Sequence, residues 1–169
     1  MHETPEELAD LQRVLDESYE AAGEHLKSII TPERRLTAEQ VSAELQGMVL
    51  LALATVTADG APLVGPVDGH FLHGKFWFGS APNSVRFQHI RKRPQVSVTH
   101  MRGEELVVTV HGTAVEIDVS TGDYDFLRDH FRTVYPDFDS WGFWGDAPYA
   151  YIEPRRMYAG SFKDVAAQP

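Results

Sequence analysis

Apolar residues recur at three- and four-residue steps near the start of the chain. Leu8, Leu11, Leu15, Ala22, Leu26 and Ile29 fall near one face, and the other face is acidic. That spacing predicts an amphipathic helix over residues 5–30. Thr4 suits its N-cap, Pro5 its first position, and Glu6 and Glu7 the positive end of its dipole. Thr31-Pro32 breaks it. A second helix begins over residues 36–40, with Thr37 and Gln40 at capping-box spacing, and Gly47 stops it. The pattern then changes period. MVLLALATVTA, residues 48–58, is apolar almost without interruption and predicts a strand buried on both faces. Asp59-Gly60 marks a hairpin. Strands follow over 61–72 and 75–78, joined by His73-Gly74, and later over 95–101, 106–118 and 147–162. A helix opens near Asn83 or Ser84 and stops at Pro94, and another covers 120–132 with Ser120 as its N-cap. Gly112 inside a strand predicts a bulge or a close backbone approach.

About six strands joined mostly by hairpins, with helices at the start, middle and late in the chain, make a mainly β fold. The expected architecture is a small antiparallel barrel with flanking helices, residues 45–169, preceded by a helical extension, residues 1–44. Composition narrows the setting. The chain has no cysteine, which excludes disulfides, thiolate chemistry and cysteine metal sites. That absence fits a cytoplasmic protein. The start, MHETPEELADLQ, is acidic and lacks the basic and apolar regions of a secretory signal. The longest apolar run, Met48 to Ala54, is too short to span a bilayer, so no membrane partner is expected.

Charge divides the chain. Its net charge is −10, and residues 1–44 hold eleven acids against four basic residues. The acidic helix either covers one edge of its own core or packs on a partner subunit. Residues 61–100 reverse the sign, with Lys75, Arg86, Arg91, Lys92 and Arg93 against Asp68 alone. A positive island in an acidic protein fits a small anionic ligand better than a nucleic acid, which calls for a broad basic face. A strand ending in Gly79-Ser80 that feeds a basic helix fits a phosphate site, with Arg86 as the clamp. The same charges also fit a solvated helix face.

Other chemistry is sparse. Asp68 and His70 share one face of a strand, either as an exposed polar face or lining a ligand. His70 and His73 have metal-like spacing but point to opposite faces of a strand, so no metal is expected. His100 and His111 sit where neighbouring strands could bring them together. No P-loop, Gly-rich dinucleotide fingerprint or Gly-x-Ser-x-Gly elbow is present.

Three segments in order, ATVTADGAPLVGPV, FWFGSAPNSVRFQHIRKRPQVSVT and VVTVHGTAVEID, resemble the flavin-binding split-barrel family of pyridoxamine 5′-phosphate oxidase and its flavin- and deazaflavin-dependent relatives. The resemblance spans roughly residues 45–160. It implies a homodimer with FMN at the interface, acting as an oxidoreductase on a small molecule by hydride transfer. Ser80, Ser84 and Arg86 would hold the phosphate, with Val85 and Arg86 standing where pyridoxamine phosphate oxidase carries an Arg-Lys pair. Val64, Gly65, Pro66 and Val67 would run along the isoalloxazine ring by their backbone, and Phe78 and Gly79 would flank the ring or ribityl chain. Trp144 or Tyr158 would reach the site from the partner chain. Trp141 is expected to pack in the barrel, whereas Trp144 serves either as a lid on the ring or as packing. PRRMYAGSF lacks the family's substrate segment rich in Arg and His, so pyridoxamine phosphate is not the expected substrate. The alternatives are the deazaflavin F420, with Arg91, Lys92 and Arg93 meeting its acidic tail, and a non-catalytic flavin-binding or interaction protein.

Overall fold

The computed structural model describes residues 2–142 and 144–163. Helix α1, Pro5–Glu20, opens on a complete capping box between Thr4 and Glu7. The expected long helix is two: Gly23 adopts an extended backbone and starts α2, Glu24–Ile29. Glycine in a helix interior costs about 1 kcal/mol relative to alanine, so the break falls there. Helix α3, Ala38–Glu44, carries the Thr37/Gln40 capping box. The strands are β1 Met48–Val56, β2 Pro62–Leu72, β3 Lys75–Gly79, β4 Gln95–Arg102, β5 Leu106–Ile117 and β6 Tyr149–Ser161, with α4 Val85–Lys92 and α5 Asp125–Val134 between them.

The strands close a barrel in the order β1-β2-β3-β6-β5-β4, and every pairing is antiparallel. Closure rests on Ala52–Ala54 of β1 against Ser97–Thr99 of β4. The β2–β3 turn is tight, with His73 and Gly74 both at positive φ (55° and 72°), as a two-residue hairpin requires. Gly112 is both a bulge and a close approach: the register shifts between His111 and Gly112, and a Cβ there would lie 2.1 Å from the Glu153 carbonyl oxygen.

β6 pairs with β5 along its length but with β3 only at Tyr149–Tyr151. Beyond Tyr151 that edge is met by α1 and, at its end, by the Arg35–Leu36 segment, where Arg35 bridges Gly160 and Leu36 N–H donates to the Ala159 carbonyl at 3.2 Å. Met157 N–H donates to Ser18 Oγ at 2.9 Å, and Ala159 N–H to the Tyr19 hydroxyl at 2.9 Å, while that hydroxyl donates to the Ala159 carbonyl. Leu11, Leu15 and Tyr19 join the barrel core with Leu51, Phe76, Phe78, Phe87 and Val108. Unpaired backbone groups are costly when buried, and this accounts for the N-terminal helix lying where it does. Arg35 stacks over the Tyr19 ring at 4.4 Å and braces the contact.

Two expectations are corrected. Residues 48–58 are not buried on both faces. Burial alternates along β1, and Met48 and Leu50 are 43% and 57% exposed. One face of a barrel strand meets the core, and the other grades from exposed at Met48 and Leu50 to half-buried at Ala52, Ala54 and Val56. The late helix begins at Asp125, not Ser120, because the Ser120 hydroxyl donates to Asp118 instead and closes a turn. Among the described residues, no helix is long and apolar enough to cross a membrane.

Candidate functional site

β2 carries its side chains alternately into the barrel and outward. Val67 is buried in the core, whereas Val64 and Pro66 are exposed on the outer face and Gly65 lies between them, half-buried. β3 ends at Gly79, and the turn over residues 80–83 leads into α4, where Ser84 caps by accepting from Phe87 N–H. The first turn of α4 places Arg86 against this strip. Its Nη2 donates to the Pro66 carbonyl at 2.8 Å, and a Cβ on Gly65 would come within 3.3 Å of the same nitrogen. Burial lowers the Arg86 pKa, and among the described residues no carboxylate pairs with it. A half-desolvated guanidinium with free donors, set close against the Gly65–Pro66 backbone, is a socket for an anion.

Two other cations of the basic helix and its end are engaged elsewhere. Arg91 forms a forked pair with Glu116, at 2.8 and 2.5 Å, and Arg93 Nε donates to the Val56 carbonyl at 2.9 Å.

Beside this strip opens a cavity of about 420 Å³. Asp68 and His70 of β2, Gly79 to Pro82 of the turn, Phe131 and Tyr135 from α5 and its end, and Phe138, Trp141, Ala147 and Tyr149 line it. Phe131 packs against Phe138, Trp144 and Tyr149 with ring centroids 5.4–6.0 Å apart. In the wall, His70 Nδ1 meets His130 Nε2 at 3.0 Å, and His70 Nε2 meets the Tyr135 hydroxyl at 3.2 Å. Burial drives the His70 pKa to about 3, aided by the charge of His130, and that of His130 to about 4, aided by His2. Both rings are therefore neutral at pH 7. Burial, with the Asp68 charge, pushes the Tyr135 hydroxyl up to about 12, and burial alone does the same for Tyr149. The Tyr149 hydroxyl is cut off from solvent and has no hydrogen-bond partner among the described residues.

The sequence-derived residues divide by position. Val64, Gly65, Pro66, Ser84, Val85 and Arg86 cluster where β2 meets α4, with Val85 57% exposed. Gly79 and Ser80 line the cavity, and so do Asp68 and His70. The Val67 and Phe78 side chains point into the barrel, the latter packed on Phe87, so only their backbones face the site. Trp141 lines the cavity, while Trp144 stacks behind it on Tyr149 at 4.9 Å. Tyr158 packs edge-on against Tyr19 of its own chain at 5.8 Å. His73 turns away to Glu7 at 3.0 Å. His100 and His111 do not meet: the first contacts the Leu50 carbonyl and the second Ser97 Oγ. Sequence reasoning missed His130, Tyr135 and Tyr149. The spacing Leu127, His130, Phe131 on one buried helix face was the signal for the first.

The family model described as pyridoxamine 5′-phosphate oxidase matches residues 37–139. No curated protein matches the chain. Among solved structures, Rv2991 of Mycobacterium tuberculosis superposes with a TM-score of 0.67 at 15% identity, covering 83% of this chain and 94% of that one. A FAD-binding protein of Mesorhizobium loti, mll6688, gives 0.59 at 23% identity over 76% and 97%. Atu2129 of Agrobacterium tumefaciens gives 0.58 at 16% identity over 68% of this chain, which spans 52% of that protein's length. At these identities the likeness is one of fold.

Proposed function

Because the chain belongs to the pyridoxamine 5′-phosphate oxidase family, we propose that it is an FMN-binding oxidoreductase acting on a small molecule. The unpaired guanidinium of Arg86 carries this reading. Pinned to the Pro66 carbonyl and partly stripped of water, it is preorganised for a phosphate. Ser80 and Ser84, the open N–H groups of the first turn of α4, and Val85 would complete the phosphate end. The outer strip Val64–Pro66 and the backbones of Val67, Phe78 and Gly79 would support the ring system. Bound there, the flavin would supply hydride transfer, and the protein would bind, orient and shield it. The FAD-binding relative in Mesorhizobium loti fits a flavin-type ligand. FMN is preferred to F420 because Arg91 is already paired with Glu116, which removes a cation that an acidic tail would need.

The reading includes a homodimer. Met48, Leu50, Val64 and Met101 are 43–72% exposed on the outer faces of β1, β2 and β4, and these strands are neighbours in the barrel. The uncovered apolar face runs into the Val64–Pro66 strip, so a second copy would cover both and close the cofactor site. The lack of cysteine suits a cytoplasmic setting.

The test is an absorption spectrum of the purified protein, then titration of apo-protein with FMN, riboflavin, F420 and haem. FMN should bind at one equivalent per subunit. R86A should weaken FMN more than tenfold, about 1.4 kcal/mol, leave riboflavin affinity unchanged, and keep the wild-type circular dichroism. Unchanged FMN affinity in R86A would overturn the assignment.

A further inference from the structure

Three side chains connect the cavity to the surface of the protein. Tyr135, at the end of α5, lines the cavity and is half-buried. Its hydroxyl lies 3.2 Å from His70 Nε2 on β2. His70 Nδ1 lies 3.0 Å from His130 Nε2 in α5. His70 is 2% exposed and His130 8%, and the His130 ring stands edge-on to His2, which is exposed. Both contacts are within reach for proton transfer, and each of the three groups both gives and takes a proton. Asp68 and Tyr149 are the other ionisable groups of the cavity wall, and the Asp68 charge reaches Tyr135.

The geometry ties the two rings together. A neutral imidazole holds one ring proton, and the His70–His130 contact needs one proton between its two nitrogens. Either both rings carry their proton on Nε2, or both carry it on Nδ1. In the first arrangement His70 donates to the Tyr135 oxygen, and the Tyr135 proton is free for a molecule in the cavity. In the second Tyr135 donates to His70, and the His130 proton sits on its outer nitrogen. Both arrangements keep both hydrogen bonds, and moving each proton one place inward turns the first into the second. Burial keeps the two rings neutral and Tyr135 protonated at pH 7, so the shift needs no buried ion.

We infer that Tyr135 is the proton donor of this site and is recharged from the surface through His70 and His130. The path itself rests on the two contacts; its part in a reduction rests on the flavin reading above. The cavity shares Gly79 and Ser80 with the proposed cofactor site, so Tyr135 borders the space where a flavin and its partner molecule would meet. Reducing a polar double bond takes a hydride and a proton. The hydride, which the flavin reading supplies, joins the carbon. The Tyr135 O–H bond breaks as its proton joins the oxygen or nitrogen. His70 Nε2–H passes to the Tyr135 oxygen, His130 Nε2–H to His70 Nδ1, and a proton from bulk water to His130 Nδ1. Oxidation of a second molecule in the same place sends its proton out by the reverse path and restores the first arrangement. Tyr135 touches the substrate, whereas His70 and His130 position and reload it.

The test has two arms on the full-length protein. In the cofactor-free protein, nitrogen NMR of labelled histidines reads the tautomers of His70 and His130 and the exchange of the His70 ring proton with water. The two rings should share one tautomer. H130Q keeps an amide beside His70 Nδ1 but passes no proton, and Y135F removes the inner end. Each should slow exchange of the His70 proton at least tenfold, whereas a loosened fold would speed it. In the second arm, protein loaded with FMN and reduced without oxygen meets menadione, which takes a hydride and a proton, or ferricyanide, which takes electrons alone. Both variants should lower kcat for menadione at least tenfold, leave KM within twofold, and lose the solvent deuterium effect, with ferricyanide rates unchanged. Mixed tautomers, exchange no slower in H130Q, unchanged menadione rates, or equal slowing of both oxidants would each overturn the inference. If FMN binds and neither variant alters exchange, the path falls and the flavin reading stands. If exchange slows as described and FMN does not bind, the flavin reading falls and the path stands.

Discussion

Acidification should unfold this protein through the His70–His130 pair. Both rings are buried, at 2% and 8% exposure, and their folded pKa values of about 3 and about 4 lie far below the unfolded value of ~6.5. The unfolded chain therefore takes up protons that the folded one cannot. Stability is full above pH ~6.5 and is lost as pH falls toward the folded values. At pH 5 the magnitude depends on the unfolded pKa alone, provided both rings stay neutral in the fold. Each ring then costs roughly 2 kcal/mol, and the pair about 4 kcal/mol. Against a total stability of about 5–15 kcal/mol for a domain, that is a large fraction. Urea unfolding followed by tryptophan fluorescence at pH 7.5 and pH 5, with m held common, measures it. H130N, which leaves His70 a polar neighbour, should lose about half the dependence. His2, against the His130 ring, and the Asp68 charge near Tyr135 are the other ionisable groups around the pair. His111, lowered by burial and by Arg156 and Arg155, adds a slope of the same sign that survives in H130N. Glu44 and Asp118, whose pKa values are depressed by hydrogen-bonded partners, lose their contribution only at lower pH. Stability equal within 1 kcal/mol at the two pH values, or a wild-type slope in H130N, would refute the reasoning.

Three substitutions test other parts of the structure. L50D places a charge on the uncovered outer face, where Leu50 is 57% exposed; it should give a folded monomer by sedimentation and weaken FMN binding, and a monomer with undiminished affinity would remove the shared site. G65A pushes a methyl group to 3.3 Å from Arg86 Nη2; FMN affinity should fall about fivefold, near 1 kcal/mol, with the thermal midpoint nearly unchanged, and full affinity would show that the guanidinium is not held in that cradle. G112A drives a Cβ to 2.1 Å from the Glu153 carbonyl oxygen, a backbone atom with little room to yield; a loss of about 3 kcal/mol in urea unfolding is expected, and an unshifted midpoint would mean the strands relax there.

Much of the fold was legible because its signals are local. Thr4 and Thr37 announce helix starts through hydrogen bonds that reach three residues, and His73-Gly74 announces a hairpin through its own dihedrals. Arg86 was legible as a candidate because a cation at the opening of a helix after Gly-Ser is a short-range pattern. Where reading failed, the missing term was non-local. MVLLALATVTA looked buried on both sides because periodicity records apolarity, not what stands opposite. The break at Gly23 lay inside a pattern that one continuous helix also fits. Trp141 reads as packing and Trp144 as the lid candidate, but the structure puts Trp141 in the cavity wall and Trp144 behind it on Tyr149.

By itself, then, the amino-acid order determined the element types, most of their ends, the antiparallel barrel class and the basic helix after β3. Those follow from dihedral preferences, caps and burial periods that act within a few residues. Only the tertiary structure decided how α1 fills the split beside β6, which apolar strand face stays exposed, and that His70 meets His130, 60 residues further along the chain. Barrel closure brings such groups together through shape and packing, and a pattern along the chain carries no measure of distance across it.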